Sequence, residues 1–296
     1  MRIRLIEMSF CAMFLIAISP ASAQKITMET MERAERPPGA PTTIGELAKR
    51  LRAPIHDTVV AIDYATDSFV IPVAGNSPGS LGTYFRSDVV FNNDRQQSQR
   101  IAIGWLAQGQ NNCSAALEYF TLSSNSITVA DDFVGQTLGR TGIGAVLVSA
   151  VTSNGAFDDD GEIDGYSRIW TRQPNSNGTV SQNFTAISVT DSIGSLPATL
   201  MGLKQNSSYR TNVGIVNFDT AAHVWTFRSI FNHNVATSVS VQPCSMSLVS
   251  AAAGSGSASG NTAFTVTSDG FGFWWSGFGS STDNITGDGW VSRAIQ

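Results

Sequence analysis

Short runs of alternating apolar and polar residues dominate this chain, and few stretches carry the spacing of a long amphipathic helix. The alternation predicts strands over 58–64, 68–73, 84–91, 100–107, 115–122, 126–129, 144–151, 166–171 and 180–187. A second series follows at 208–216, 223–231, 237–241, 247–251, 262–267, 272–278 and 290–294. Asn, Gly, Asp and Ser separate the runs, as turn-formers do. Residues 131–138 read as one short helical turn, and the Gly/Ser/Ala tract 251–260 as a hairpin loop. Strands this short and this closely spaced predict an all-β fold of the sandwich type, immunoglobulin-like or jelly-roll-like.

One run occurs twice. Phe85-Arg-Ser-Asp-Val-Val-Phe-Asn-Asn93 aligns without gaps on Tyr209-Arg-Thr-Asn-Val-Gly-Ile-Val-Asn217. Aromatic falls on aromatic, Arg86 on Arg210, Val89 on Val213, and a closing Asn93 on Asn217. A looser echo links Gly165-Tyr-Ser-Arg-Ile-Trp-Thr171 to Gly272-Phe-Trp-Trp-Ser-Gly-Phe278. Two matches in the same order predict one β-unit used twice, at 57–190 and 191–296, with the joint near 190–200. Arg86 and Arg210 are expected to be structural twins, each laying its stem over a sheet and forking onto carbonyls or a carboxylate.

The first residues break the β pattern. Arg2 and Arg4 precede an apolar run from Met8 to Ile18, and Ala21-Ser-Ala23 has the small-x-small form of a cleavage site. Residues 1–23 therefore read as a secretory signal, with the mature chain starting near Gln24. Cys11 lies inside the apolar run, away from the cleavage point, which argues against a lipoprotein. Residues 24–56 cluster Glu, Arg and Pro and read as a mobile leader. Within it Thr43-Ile-Gly-Glu46 fits a capping box, with Ile44, Leu47 and Leu51 on one face, predicting a short helix over 44–51 docked on the body.

Charged residues make up only 14% of the chain, and the net charge is −5. Losing Arg2, Arg4 and Glu7 with the signal makes the remainder one charge more acidic. An acidic body argues against nucleic acid or an anionic membrane surface as partner. No later stretch is long and apolar enough to span a bilayer as a helix.

Pro72, Pro78-Gly79, Gly82-Thr-Tyr-Phe-Arg-Ser-Asp88, Tyr209 to Asn217, and Ser281-Thr-Asp-Asn-Ile-Thr-Gly-Asp288 together resemble a recurrent pattern of bacterial exported proteins that carry paired β-sandwich units. The resemblance spans most of residues 69–292 and implies fold and export, to the periplasm or exterior of a Gram-negative cell. It implies no reaction. The chain departs from the pattern at Trp274-Trp275 and in the acidic loop Asp158–Asp164.

Candidate chemistry is sparse. Gly75-Asn-Ser-Pro-Gly79 has the G-x-S-x-G form, but Pro78 lacks the N–H that the nucleophile elbow needs, so it reads as a turn. His56, His223 and His233 show no metal-ligand spacing. Five carboxylates crowd Asp158–Asp164; Asp158, Asp160 and Asp164 fall at inner positions of a calcium loop whose end ligands are missing. Either a solvated hairpin or a calcium-stiffened loop would relieve their repulsion. Trp274 and Trp275 are neighbours, so a regular strand must send one into the core and the other outward, to stack a sugar or to bury against the next unit. Cys113 and Cys244 are the cysteines left after the signal, and an exported chain favours a disulfide between them if geometry permits a bond across units.

The leading expectation is an exported, non-enzymatic β-sandwich protein with a structural or interaction role toward an unknown protein or glycan. A carbohydrate-binding module is the alternative. A hydrolase is the third reading, with no carboxylate spacing to support it.

Overall fold

The computed structural model describes residues 25–27, 31–51, 67–79, 82–173, 177–189, 197–270 and 273–295. The signal, the strand expected over 58–64 and residues 190–196 of the joint near 190–200 lie outside them. Strands dominate the described chain, which is all-β; α1 (Ile44–Leu51) and a π-helical turn at Phe133–Thr137 are its helical elements.

In the first half, β3 (Ser68–Pro78), β8 (Gly142–Val151), β5 (Gln99–Ala107) and β6 (Glu118–Leu122) lie side by side in that order. A second row runs β7 (Ser126–Ala130), β4 (Tyr84–Asn93), β9 (Ile163–Arg172) and β10 (Thr179–Thr185). The end of β3 also pairs with β4, at Ser77 with Phe85, so hydrogen bonding runs continuously through both rows. Three short edge strands complete this eleven-stranded sheet: β1 (Lys25–Thr27) parallel to β7, β2 (Glu32–Arg33) beside β6, and β11 (Ile187–Ser188) beside β3.

The second half contains β12 (Ala198–Lys204), β17 (Asn261–Ser268), β14 (His223–Ser229) and β15 (Ala236–Val241) in one four-stranded sheet. Its other sheet is β16 (Ser245–Ser250), β13 (Tyr209–Asn217), β18 (Trp275–Asp283) and β19 (Gly289–Arg293). Numbered from β3 and from β12, both halves read 1-6-3-4 in one row and 5-2-7-8 in the other. The repeated sequence stretch thus occupies the same place twice, in β4 and in β13.

Two apolar clusters fill the space between the rows. Leu200, Val213, Ile215, Trp225, Phe227 and Phe264 belong to the cluster that lies between the second half's two sheets. The first half's cluster also takes in Val216, Met246 and Phe278 from the β16-β13-β18-β19 sheet. That sheet is therefore apolar on both faces, and every residue from Trp275 to Thr282 is buried. A sheet covered on both sides loses simple alternation. Gly214 makes room for the crossing ring of Phe278, whose Cζ would lie 2.3 Å from a Cβ at that position.

The mobile-leader expectation needs correction over 31–43, whereas α1 docks on the body as its spacing predicts. Met31, Ala40, Ile44, Leu47 and Ala48 are buried in the first cluster, so this segment is packed against the body. The start of α1 is tied down as well. The Glu46 carboxylate accepts the Thr42 N–H at 2.6 Å, and the Thr43 hydroxyl accepts the Glu46 N–H at 3.2 Å. The Ile44 and Gly45 N–H groups donate to the carbonyls of Ala115 and Cys113. These bonds satisfy donors that a helix start leaves open.

Candidate functional site

The Cys113–Ala116 segment that caps α1 also forms one wall of a cleft of about 410 Å³. The opposite wall is Leu138–Thr141, just after the π-helical turn, and the floor is the end of β5. Glu118 stands directly across from Ile103 in the β5–β6 register. Side chains two apart on a strand share a face, so Glu118, Ile103 and Trp105 line the cleft together. Trp105 is half-buried and lies over Gly144 of β8; a Cβ there would come within 2.7 Å of the indole Cζ2.

Charge in the cleft is arranged asymmetrically. Arg33 Nη2 sits 2.7 Å from Glu118 Oε2 and donates to the Thr137 carbonyl at 2.6 Å, so this arginine is committed to the wall. Arg140 Nη2 stays 3.9 Å from Glu118 Oε1, beyond hydrogen-bond distance, with 54% of its side chain exposed. Burial pushes the Glu118 carboxyl above the ordinary glutamate range, and the two arginines pull it back. Asn112 is structural: its Nδ2 donates to the carbonyls of Ala107, Gln110 and Cys244. Glu118 is the one carboxylate in the described lining, whereas ordinary glycoside hydrolysis needs a pair.

The lining of the cleft belongs to the first half, and the loop behind it meets the second. Cys113 and Cys244 are bonded, with an S–S length of 2.07 Å and a sequence separation of 131. The Gly109 and Asn112 N–H groups donate to Met246 and Pro243, and the Ser245 hydroxyl donates to the Ala107 carbonyl. The loop that walls the cleft is therefore pinned to the second half.

The two asparagines of the repeated stretch are fully buried and make the same contacts. Asn93 Oδ1 accepts the Arg95 N–H, and its Nδ2 donates to Gln97 and Ser123 carbonyls at 2.9 and 2.8 Å. Asn217 Oδ1 accepts the Asp219 N–H, and its Nδ2 donates to Ala221 and Gln242 at 2.9 and 3.1 Å. Each closes the turn after its own strand and holds the approach to the neighbouring one. The strand entries match too: Asn125 and Cys244, just before β7 and β16, both have positive φ.

The twin arginines share a position but not a partner. Arg86 Nε lies 3.5 Å from Asp132 Oδ2, and its guanidinium is 5.0 Å from the Tyr84 ring centre. Arg210 Nη1 donates to Asn284 Oδ1 at 2.8 Å. Trp275 is buried in the second cluster, 6.0 Å from Trp225, while Trp274 is half-buried against the first cluster. This pair packs the body and offers no open platform. Ser77 lies within β3 opposite Phe85, as a strand residue rather than an elbow.

The acidic loop is spread out. Asp158 pairs with Arg95 at 2.7 Å, Asp164 accepts the Gly165 N–H at 2.7 Å from β9, and neither contact involves Asp160. The three carboxylates expected to share a calcium ion do not form a metal-holding group among the described residues. Burial, then Asp159 and Asp158, raise the Asp67 carboxyl, a neighbour that no local spacing betrays. His223 places its Nε2 2.8 Å from Asp219 Oδ2 and its Nδ1 3.3 Å from Asp269 Oδ1, and stacks on Phe273. His56 lies outside the described residues. Among the described residues no helix is long and apolar enough to cross a membrane. No protein-family model, curated protein or solved structure matches this chain.

Proposed function

We propose that this chain is an exported, non-enzymatic protein of paired β-sandwich units, with a structural or interaction role at the exterior of a Gram-negative cell. The observation that carries the reading is the β16-β13-β18-β19 sheet, apolar on both faces and shared between the two clusters. Such a sheet makes the halves one stiff body rather than two beads on a linker. The Cys113–Cys244 bond across the seam supports export, because oxidising compartments are where such bonds persist. The signal pattern of residues 1–23, with its Arg2 and Arg4 start and its Ala21-Ser-Ala23 site, supports it independently.

The test is expression of the full chain in a Gram-negative host, followed by fractionation and intact mass. A product beginning near Gln24, oxidised and outside the cytosol, is the expected result. An uncleaved cytosolic chain with free thiols would overturn the export reading. Turnover on a broad hydrolase substrate panel, abolished by a single Asp→Asn change, would overturn the non-enzymatic one.

A further inference from the structure

We infer that the Trp105 cleft is a saccharide-binding site that seats one sugar ring on the indole and reads its hydroxyls with Glu118 and Arg140; this rests on the interaction role proposed above. The platform comes first. A bare glycine at 144 lets the indole lie down on the neighbouring strand, where any larger residue would lift it. The ring is thereby fixed against β8 while it still lines the cleft. A pre-set aromatic surface beside polar groups suits a ring that is apolar on its C–H face and hydroxylated at its rim.

The polar groups have the matching chemistry. A sugar hydroxyl both donates and accepts, so it needs an acceptor and a donor close together. Glu118 Oε1 and Arg140 Nη2 are 3.9 Å apart, too far to satisfy each other directly and near enough for one hydroxyl or a vicinal pair to bridge them. Arg33 holds Glu118 from behind, so its carboxylate is oriented before any ligand arrives. Gln110 and Thr141 add hydrogen-bonding side chains on the two walls. The volume, about 410 Å³, falls within the small-ligand range of roughly 300–1,000 Å³. A phosphorylated ligand is disfavoured by the acidic body, and an apolar one by the charged lining.

The experiment is titration calorimetry on the oxidised chain from Gln24 with three neutral probes: oligomers of N-acetylglucosamine, of glucose and of mannose. At least one probe should bind. Trp105→Ala and Arg140→Ala should each weaken that probe by about tenfold or more, while Trp105→Tyr retains most of the binding. Trp290→Ala should leave binding unchanged, since Trp290 stacks edge-on with Tyr209 and donates to the Gly202 carbonyl in the second half. Arg140 is exposed, so its variant reports even if Trp105→Ala fails to fold. No binding by any of the three probes at about 10 mM overturns the inference. So does binding that survives both Trp105→Ala and Arg140→Ala. Export and turnover are measured separately, so a failed titration leaves the proposed function standing.

Discussion

Replacing Asn217 by Ala removes three short hydrogen bonds and a longer one at 3.4 Å to the Val241 carbonyl from a fully buried side chain, and leaves three carbonyls and one N–H facing a methyl group. At about 0.5–1.5 kcal/mol for each lost bond, the cost is about 2–4 kcal/mol. Asn93→Ala removes the equivalent three and should cost a similar amount. Asn217→Asp keeps the acceptor for the Asp219 N–H but turns a negative oxygen toward the Ala221 and Gln242 carbonyls. It should be worse than Ala at pH 7 and partly recover in acid, where a protonated carboxyl can donate one bond. The assay is urea unfolding of the oxidised protein, followed by fluorescence and circular dichroism to check for a single transition. A loss below about 1 kcal/mol for both alanine variants would refute the view that these two side chains close the repeated turn.

Three further outcomes are expected. Stability should rise as pH falls from 7 toward the ordinary carboxylate range: Asp67, Glu118, Asp132 and Asp164 have carboxyls raised above that range, chiefly by burial, so the folded state holds their protons to higher pH than the unfolded one. The lowered groups, Glu46 and Asp283, act in the opposite sense as pH falls through the ordinary carboxylate range, where the unfolded chain takes up their protons first, so a urea midpoint higher at pH 7 than at pH 5 would contradict this. Cys113→Ser with Cys244→Ser opens a loop 131 residues long, and chain entropy sets the loss at up to about 5 kcal/mol; an unchanged urea midpoint would contradict the seam. Melting curves in chelator and in millimolar calcium should coincide, because Arg95 already neutralises Asp158; separation by several degrees would mean that the acidic loop holds an ion.

Strands such as β4, β7 and β17, and α1, are legible in the sequence because each buries one face, and alternation or i, i+3 spacing records it. The asparagine twins are legible as the residues that close two matching runs. Trp274 and Trp275 show where that reading stops: β18 is buried on both faces, so alternation cannot say which neighbour lies on the far side. The cleft is invisible for a different reason. Trp105 reads as one more core aromatic in an alternating strand, and Gly144, Glu118, Arg33 and Arg140 come from separate segments that only the fold brings together. Arg33 belongs to the stretch that composition marks as a mobile leader. The pairing of Asp158 is illegible in the same way, since its partner Arg95 is remote in sequence.

The most direct test of the account is differential scanning calorimetry of the oxidised chain from Gln24. A sheet shared by both apolar clusters predicts one transition, with equal calorimetric and van't Hoff enthalpies. Two resolved transitions, each carrying about half the enthalpy, would mean that the halves melt independently and would contradict the single body described above.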